Sequence, residues 1–417
     1  MRPAGHPRGP RIALVPWGTP IEVFLDPLHH TLADFCERLT GGWLFGYAEG
    51  LWATGYTPSI VVSSRSVPAP QRRTHTPTGT GVIVLPAPAL RRPRRPGLRR
   101  DIAAYLAALA PGVLAVLSRH EAVLVQEYEE PRADLLAWWG RLHRIPVLAS
   151  FQGGIPPWEA APLQWLARGA SMRRLAGLLI GPAEEAERVV STRHVHHGRV
   201  HRVMNPVDTG RWRPEDRVRA RRRLGVPERA LVAAWHGRVD LRRKGLDVLV
   251  AAWTRACARE PDADLRLLLV GAGPDEGDLR TLLAQPGVRG VDWLPRYADS
   301  GQVSARLAAC DVWVSASRHE GFAVAPLEAM ASGRPVVLTD APGARELVGR
   351  GDEDGGVLVR RDNVPALADA LFGILAAPGR RDRLGLAARR RVEAVFSTGA
   401  VGQQLRHALT CAGVRPA

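Results

Sequence analysis

Short apolar runs alternate with longer stretches of helical periodicity along most of the chain. The apolar runs are rich in Val, Ile, Leu and Ala, which is typical of strands that are buried on both faces of a sheet. The stretches between them place apolar residues three or four positions apart, as in amphipathic helices. This alternation predicts successive βα units and therefore an α/β fold with mostly parallel sheets.

The predicted strands form two series, and the Asn-Pro turn at Asn205–Pro206 separates them. The first series comprises Arg11–Pro16, Ser59–Ser63, Gly81–Leu85, Ala122–Gln126, Ile145–Ser150, Ala176–Ile180 and Arg199–Met204. The second series comprises Leu231–Trp235, Leu265–Val270, Val291–Leu294, Val312–Ser315 and Pro335–Leu338. Helices are predicted at Trp43–Thr54, Leu246–Arg259, Asp275–Leu283, Ala325–Ala331 and Val364–Ala376.

This organisation predicts two α/β domains, residues 1–205 and residues 206–380. The charged stretch Arg211–Arg223 is interpreted as the connection between them. No strand follows the helical stretch that begins at Arg381, so segment 381–417 is predicted to pack back on the first domain.

The composition is that of a soluble globular protein, with 417 residues, 46% of them hydrophobic and 24% charged. No apolar run reaches the roughly 18 residues that a membrane span needs, and the N-terminus lacks the apolar segment of a signal peptide. The four cysteines are widely separated, which argues against a disulfide framework. We therefore expect a cytoplasmic protein.

The net charge of +16 raises nucleic acid and anionic membranes as partners. However, Lys244 is the only lysine among 57 basic residues, and such a bias towards arginine indicates coding composition rather than a selected nucleic-acid surface. The bias also singles out Lys244, because lysine presents a compact point charge that arginine does not. The Arg-rich segment 90–100 is a candidate for contact with an anionic membrane, the alternative being an exposed loop.

The densest group of candidate functional residues lies between Ser317 and Val337. A buried strand leads into a turn with Glu320 and Gly321, and a helix follows near Ala325. Such turns present backbone N–H groups and the positive end of a helix dipole to the crevice where parallel sheets bind ligands. Glu320 and Glu328 can then face one crevice and bind two diols. The alternative is an exposed loop acid and a partner of the helix dipole.

A second cluster lies between Trp235 and Asp247, again where a strand ends. Gly237 permits close approach of the backbone, and Arg238 and Lys244 can converge on a diphosphate. The alternative is a solvated basic loop. Paired glycines at Gly41–Gly42, directly before a helix, also fit a phosphate or sugar, although this signal is weak alone.

Together these clusters resemble the family 4 glycosyltransferases, which are retaining enzymes of the GT-B fold. The resemblance rests on the E-x7-E pair within HEGFAVAPLEAMASGRPVV, on GR-x5-KG at Gly237–Gly245, on VMNPVDTGRWRP and on LLLVGAGPDEGDL. It implies two Rossmann-like domains that face each other across a cleft, with a C-terminal helix crossing back to the first domain.

The resemblance also implies roles for individual residues. Arg238 and Lys244 would neutralise the donor diphosphate, and Glu328 would hold the nucleotide ribose. The donor sugar and phosphate would be bound by Glu320 and the amides of Gly321, Phe322, Ala323 and Val324. Gly237 belongs to this donor site, and Gly42 would approach the phosphate from the first domain.

The acceptor side departs from the family pattern. Many members carry a histidine where this chain has Gln152, which can donate a hydrogen bond but cannot shuttle a proton. Glu127 and Glu129 would point the same way in an extended strand and could receive acceptor hydroxyls, the alternative being a solvated acidic loop. The histidines at 194, 196, 197 and 201 have no carboxylate or cysteine partner at ligand spacing, so no metal site is predicted.

The resemblance implies a retaining glycosyltransferase that moves a sugar from a nucleotide-diphosphate sugar to an unidentified acceptor. The acceptor can be a glycan, a lipid or a small metabolite, and no metal or other cofactor is expected. One alternative is a nucleotide-sugar epimerase of the same fold. Another is a basic nucleic-acid-binding protein, but no recognition-helix or RNA-binding signature supports it.

Overall fold

The computed structural model describes residues 9–16, 20–40, 42–88, 98–153, 168–193, 195–295 and 300–416. The chain divides into two compact units. The first contains Met1–Pro206 and Thr398–Ala417, and the second contains Val207–Ser397. Among the described residues, no helix is both long and apolar enough to cross a membrane.

Each unit is built on one sheet. The strands of the first sheet are β1 (Arg11–Val15), β2 (Thr57–Ser64), β3 (Gln71–His75), β4 (Thr80–Pro86), β5 (Ala122–Gln126), β6 (Val147–Ser150), β7 (Gly177–Leu179) and β8 (Val200–His201). Those of the second sheet are β9 (Leu231–His236), β10 (Leu265–Val270), β11 (Val291–Leu294), β12 (Val312–Ser315), β13 (Val336–Thr339) and β14 (Gly356–Val359).

The strand order is β3-β4-β2-β1-β5-β6-β7-β8 in the first sheet and β11-β10-β9-β12-β13-β14 in the second. All the described pairings are parallel except that of β3 with β4. Both sheets are therefore of the open, doubly wound type, whose ligands bind beyond the carboxyl ends of the strands.

The helices lie between the strands in the chain, except for the last three, which follow β14. They are α1 (Glu22–Leu25), α2 (Leu32–Glu37), α3 (Gly42–Ala53), α4 (Leu98–Leu106), α5 (Val113–Leu117), α6 (Pro131–His143), α7 (Ala183–Arg193), α8 (Arg217–Leu224), α9 (Leu241–Lys244), α10 (Leu246–Arg259), α11 (Glu276–Leu283), α12 (Ser300–Ala309), α13 (Ala325–Ala331), α14 (Ala344–Val348), α15 (Val364–Leu375), α16 (Pro378–Arg391) and α17 (Thr398–Cys411).

Strand β1 shows why the strands are apolar without alternation. Ile12 and Leu14 belong to one hydrophobic core, whereas Ala13 and Val15 belong to another. Because successive side chains of a strand point to opposite faces, both faces of the first sheet are covered by helices.

Helix α17 completes the core of the first unit. Leu405 and Leu409 are fully buried in the same cluster as Leu51 of α3. The two helices approach closely where glycines meet, since a Cβ atom on Gly402 would lie 2.7 Å from the carbonyl oxygen of Gly50. The returning segment thus contributes to the core, and burying each leucine stabilises the unit by about 1.5–3 kcal/mol.

This return begins later than the predicted boundary at residue 381. Helix α16 lies in the second unit, where the Arg389 guanidinium donates hydrogen bonds to the carbonyl oxygens of Trp212 and Ala331 at 2.7 and 2.6 Å. A short π-helix over Val392–Phe396 follows, and Ser397 takes an extended conformation that interrupts the helix. Helical periodicity continues across this break, so the sequence pattern merged two helices into one.

The prediction that Arg211–Arg223 connects the domains is also corrected. The units divide at Pro206, and Arg217–Leu224 is helix α8 of the second unit. Its charged face is partly buried because Arg217 and Arg221 bind the buried Asp311 carboxylate at 2.8 and 2.7 Å. Arg381 reaches the same carboxylate at 3.2 Å. The stretch interpreted as a connection is therefore part of the second unit and contributes to an ion-pair network around Asp311.

Candidate active site

Strands β9 and β12 are neighbours and run parallel, so the loops that follow them emerge at the same edge of the second sheet. Gly245, in the first of these loops, has a positive φ of 60°. A Cβ atom there would lie 2.0 Å from the carbonyl oxygen of Ala316 in the second loop. Only glycine permits this contact. The GR-x5-KG and E-x7-E motifs therefore lie side by side.

The loop after β9 is shaped by Gly237 and Asp240. Gly237 has φ of 156°, and its N–H donates to the carbonyl oxygen of Val270 at 3.0 Å. The Asp240 carboxylate accepts a hydrogen bond from the Arg243 N–H at 3.0 Å and so caps the short helix α9. The loop thus carries Arg238 near its start and Lys244 at its end.

Lys244 is paired with Glu320. The Lys244 Nζ atom lies 2.6 Å from Glu320 Oε1, and the Ser317 hydroxyl donates to the same oxygen at 2.7 Å. The two charged side chains are only 24% and 16% exposed. The single lysine of the chain and the carboxylate expected to bind the donor sugar therefore form one partly buried ion pair.

Glu328 is paired with His236, the last residue of β9. His236 Nε2 lies 2.7 Å from Glu328 Oε2, and the Trp313 indole N–H donates to His236 Nδ1 at 3.0 Å. Because Nδ1 accepts a hydrogen bond, the ring proton resides on Nε2 and is donated to the carboxylate. This arrangement holds a neutral imidazole against Glu328 and fixes the orientation of that carboxylate.

Sequence reasoning missed His236, although a signal was present. The residue is a polar side chain at the end of an otherwise apolar strand, directly before Gly237. A polar residue at the carboxyl end of a buried parallel strand lies where ligands bind, and this position could have identified it.

Arg238 is not part of these two pairs. Its guanidinium bonds the Asp240 carboxylate at 3.2 Å, and its side chain is 41% exposed.

Gly321 to Val324 form the turn before α13, which begins without a side-chain cap. Phe322 is buried and its ring packs against Phe396, with centroids 5.9 Å apart. The structure thus anchors the turn that was predicted to contact the donor.

The residues predicted for the acceptor side lie in the first unit, at the carboxyl ends of its strands. The amides of Gln152 and Asn205 are hydrogen-bonded reciprocally, at 2.9 and 2.8 Å. Gly42 is the first residue of α3. Gly41, His194 and residues 90–97 of the Arg-rich segment lie outside the described residues.

The prediction that Glu127 and Glu129 point the same way from an extended strand is wrong. Strand β5 ends at Gln126, and Glu127 has a positive φ of 64°. Its carboxylate accepts hydrogen bonds from the backbone N–H groups of Gln152 and Glu129 at 3.1 and 3.3 Å. Glu129 instead faces Arg188 at 3.3 Å. Left-handed backbone at a residue other than glycine costs about 1–2 kcal/mol, which these bonds help to offset.

Comparison with solved structures identifies the fold of the chain. Sucrose-phosphate synthase from Thermosynechococcus elongatus superimposes with a TM-score of 0.73 at 21% identity, covering 96% of this chain and 98% of that one. Anabaena HepE, solved in complex with UDP-glucose, gives a TM-score of 0.70 at 17% identity, covering 96% of this chain and 99% of that one. The chain therefore has the GT-B fold, as predicted.

Sequence comparison shows which protein family the second unit resembles. Residues 230–377 match the family described as "Glycosyl transferases group 1". The GDP-mannose-dependent monoacylated alpha-(1-6)-phosphatidylinositol monomannoside mannosyltransferase of Corynebacterium glutamicum is 34% identical over 203 residues, 47% of this chain and 51% of that protein. The D-inositol 3-phosphate glycosyltransferase of Nocardia farcinica is 34% identical over 218 residues, 51% of this chain and 47% of that protein.

The chain spans about half the length of the curated relatives it matches. Within that span, the second unit carries a group 1 glycosyl transferase domain. The predicted resemblance to GT-B glycosyltransferases of the family 4 kind is confirmed.

Proposed function

We propose that this protein is a retaining glycosyltransferase that transfers a sugar from a nucleotide-diphosphate sugar to an acceptor hydroxyl without a metal ion. The observation that carries the proposal is the pairing of Lys244 with Glu320 and of His236 with Glu328 at one edge of the second sheet, where β9 and β12 end. These pairs supply a cation and two carboxylates in the part of an α/β sheet where ligands bind.

Lys244 and Arg238 are the proposed ligands of the donor diphosphate. Charge builds on the leaving diphosphate as the glycosidic bond breaks, and cations held in place beforehand stabilise that charge without reorganisation. Lys244 is already fixed by Glu320, whereas the more exposed Arg238 is held by Asp240. In this proposal, side-chain cations do what a bound metal ion does in other enzymes.

Glu328 is the proposed ligand of the nucleotide ribose. A carboxylate can accept up to four hydrogen bonds, so the bond from His236 leaves capacity for two ribose hydroxyls. His236 donates rather than accepts, which orients the carboxylate for a diol. Glu320 and the backbone of the Gly321–Val324 turn are proposed to hold the transferring sugar, in keeping with the family resemblance.

Retention of configuration follows from this arrangement if the acceptor approaches the face from which the diphosphate departs. No side-chain nucleophile is then required, and the departing diphosphate helps to remove the acceptor proton. Gln152, Glu127 and Glu129 of the first unit are the acceptor-side candidates. The relatives named for inositol phosphates and for phosphatidylinositol mannosides make phosphoinositols the first acceptors to test.

A thermal-shift panel with GDP-mannose, UDP-glucose and ADP-glucose tests the donor class. A ligand at 100 times its Kd stabilises the native state by about 2.7 kcal/mol, which raises the Tm of a domain of this size by about 5–10 °C. We expect one nucleotide to give such a shift, and Glu328→Gln to reduce it.

Glu353→Gln is the matched control, because it makes the same change at an exposed carboxylate of the second unit. Proton NMR of the product formed from the preferred donor then reports the anomeric configuration. Absence of a shift with every nucleotide sugar, or a product of inverted configuration, would contradict the proposal.

A further inference from the structure

Three side chains of types that bind metal ions meet in the first unit. His407 and Cys411 lie one turn apart on α17, and His201 is the last residue of β8. Their ligand atoms all lie within 4.8 Å of one another. Cys411 Sγ is 3.8 Å from His407 Nε2, and the rings of His201 and His407 meet edge to face with centroids 6.0 Å apart.

These distances suit a small tetrahedral cation. With Zn–N of about 2.0–2.1 Å and Zn–S of about 2.3 Å, tetrahedral donor atoms lie about 3.3–3.6 Å apart. His407 and Cys411 are exposed, so rotation about their side-chain bonds can close the remaining gap. We propose that His201, His407 and Cys411 bind one divalent cation of the zinc class, with water as the fourth ligand.

The donor set determines which metals fit. Two imidazoles and a thiolate are soft or borderline ligands that select zinc and similar transition metals, whereas magnesium and calcium prefer oxygen. This preference separates the site from any divalent ion that accompanies a nucleotide diphosphate.

The bound cation would link helix α17 to the edge of the first sheet. Strand β8 has only two residues, and the nearby Met204 N–H already donates to the Gln404 side chain of α17 at 2.9 Å. A cation that binds only the folded state stabilises this junction through mass action. The sequence could not show the site, because His201 and His407 are about 200 positions apart and only folding brings them together.

Metal binding is tested on the full chain after removal of any affinity tag and treatment with a chelator. Zn²⁺ is titrated against a chromogenic competitor, and Co²⁺ is added separately to record thiolate-to-metal absorption. We expect one Zn²⁺ per chain. Loss of an outer-shell contact commonly costs about 10- to 100-fold in metal affinity, so Cys411→Ser and His407→Gln should weaken binding at least that much.

His197→Gln is the matched control, since His197 is an exposed histidine in the turn before β8 and does not belong to the cluster. It should leave Zn²⁺ affinity unchanged. The Tm of metal-free Cys411→Ser should equal that of the metal-free native chain, which excludes misfolding as the cause of a binding defect.

Thiol labelling gives an independent measurement. Cys36, Cys257 and Cys310 are buried, and burial raises the pKa of the Cys310 thiol to about 12. A thiol reagent should therefore modify Cys411 first, and Zn²⁺ should slow that reaction at least tenfold. Equal labelling with and without Zn²⁺, or Zn²⁺ affinity unaffected by Cys411→Ser, would show that the cluster holds only an ordinary histidine–thiol contact.

Discussion

Replacing each of the two paired glutamates by glutamine should change nucleotide binding in different directions. Both substitutions remove one negative charge and keep the side-chain shape. Glu328→Gln weakens the proposed contact with the ribose. A hydrogen bond to a charged group contributes about 1.5–3 kcal/mol, so the affinity for the bare nucleoside diphosphate should fall about 10- to 150-fold.

Glu320→Gln should not weaken this affinity, because Glu320 holds Lys244 at 2.6 Å in the structure. Two unit charges 4 Å apart interact by about 4 kcal/mol near a protein surface, and a diphosphate must share Lys244 with this carboxylate. Neutralising Glu320 frees the lysine and removes a repulsion. We expect the affinity for the nucleoside diphosphate to stay constant or to rise by up to about tenfold, which corresponds to about 1.4 kcal/mol.

Isothermal calorimetry with UDP and GDP measures both variants against the native chain, with Glu353→Gln as the control for a lost surface charge. Turnover is measured in parallel, and Glu320→Gln should lower kcat by orders of magnitude because its contact with the sugar changes as the glycosidic bond breaks. A loss of nucleotide affinity in Glu320→Gln as large as that in Glu328→Gln would refute the division between sugar and ribose.

Three further outcomes are expected. His236→Ala should weaken nucleoside diphosphate binding about tenfold in calorimetry, because Glu328 loses its donor and Trp313 its acceptor, whereas His236→Gln should restore part of the affinity; no rescue would indicate a packing role. Asp311→Ala should lower the free energy of unfolding of the second unit by about 3–5 kcal/mol in urea, since Arg221 stays buried without a counter-charge, and a loss below about 1 kcal/mol would contradict this. Sugar transfer should survive EDTA, because side-chain cations face the diphosphate; activity lost on chelation and restored by magnesium would overturn metal independence.

Much of the fold follows from the sequence pattern because buried parallel strands are continuous apolar runs. Strands β5, β10, β11 and β12 have the predicted bounds. Strand β3 was missed because Gln71–His75 is polar and lies at the edge of the sheet, where one side of the strand needs no apolar partner. The pattern of apolar residues identifies strands that are buried on both faces, but it does not identify polar strands at the edge of a sheet.

The site was predictable only in part. Motif spacing identified Glu320 and Glu328, yet their partners depend on which strands are neighbours. The β9–β12 pairing brings His236 beside Trp313, although the two residues are far apart in the chain. The turn at Glu127 likewise depends on the backbone of Gln152, which belongs to another strand end. The sequence identifies residues with suitable side-chain chemistry, whereas strand order determines which of those residues are neighbours.

The late return of α17 has a consequence for synthesis on the ribosome. The second unit is continuous in the chain, but Tyr56 of the first unit donates a hydrogen bond to the carbonyl oxygen of Val414, 358 positions later. At about 5–20 residues per second, the roughly 190 residues of the second unit take about 10–40 s to emerge. During that interval helix α17 has not yet been synthesised, so the apolar face of α3 has nothing to pack against. The second unit can finish folding first. The early half of the chain is therefore the part that a chaperone would need to shield.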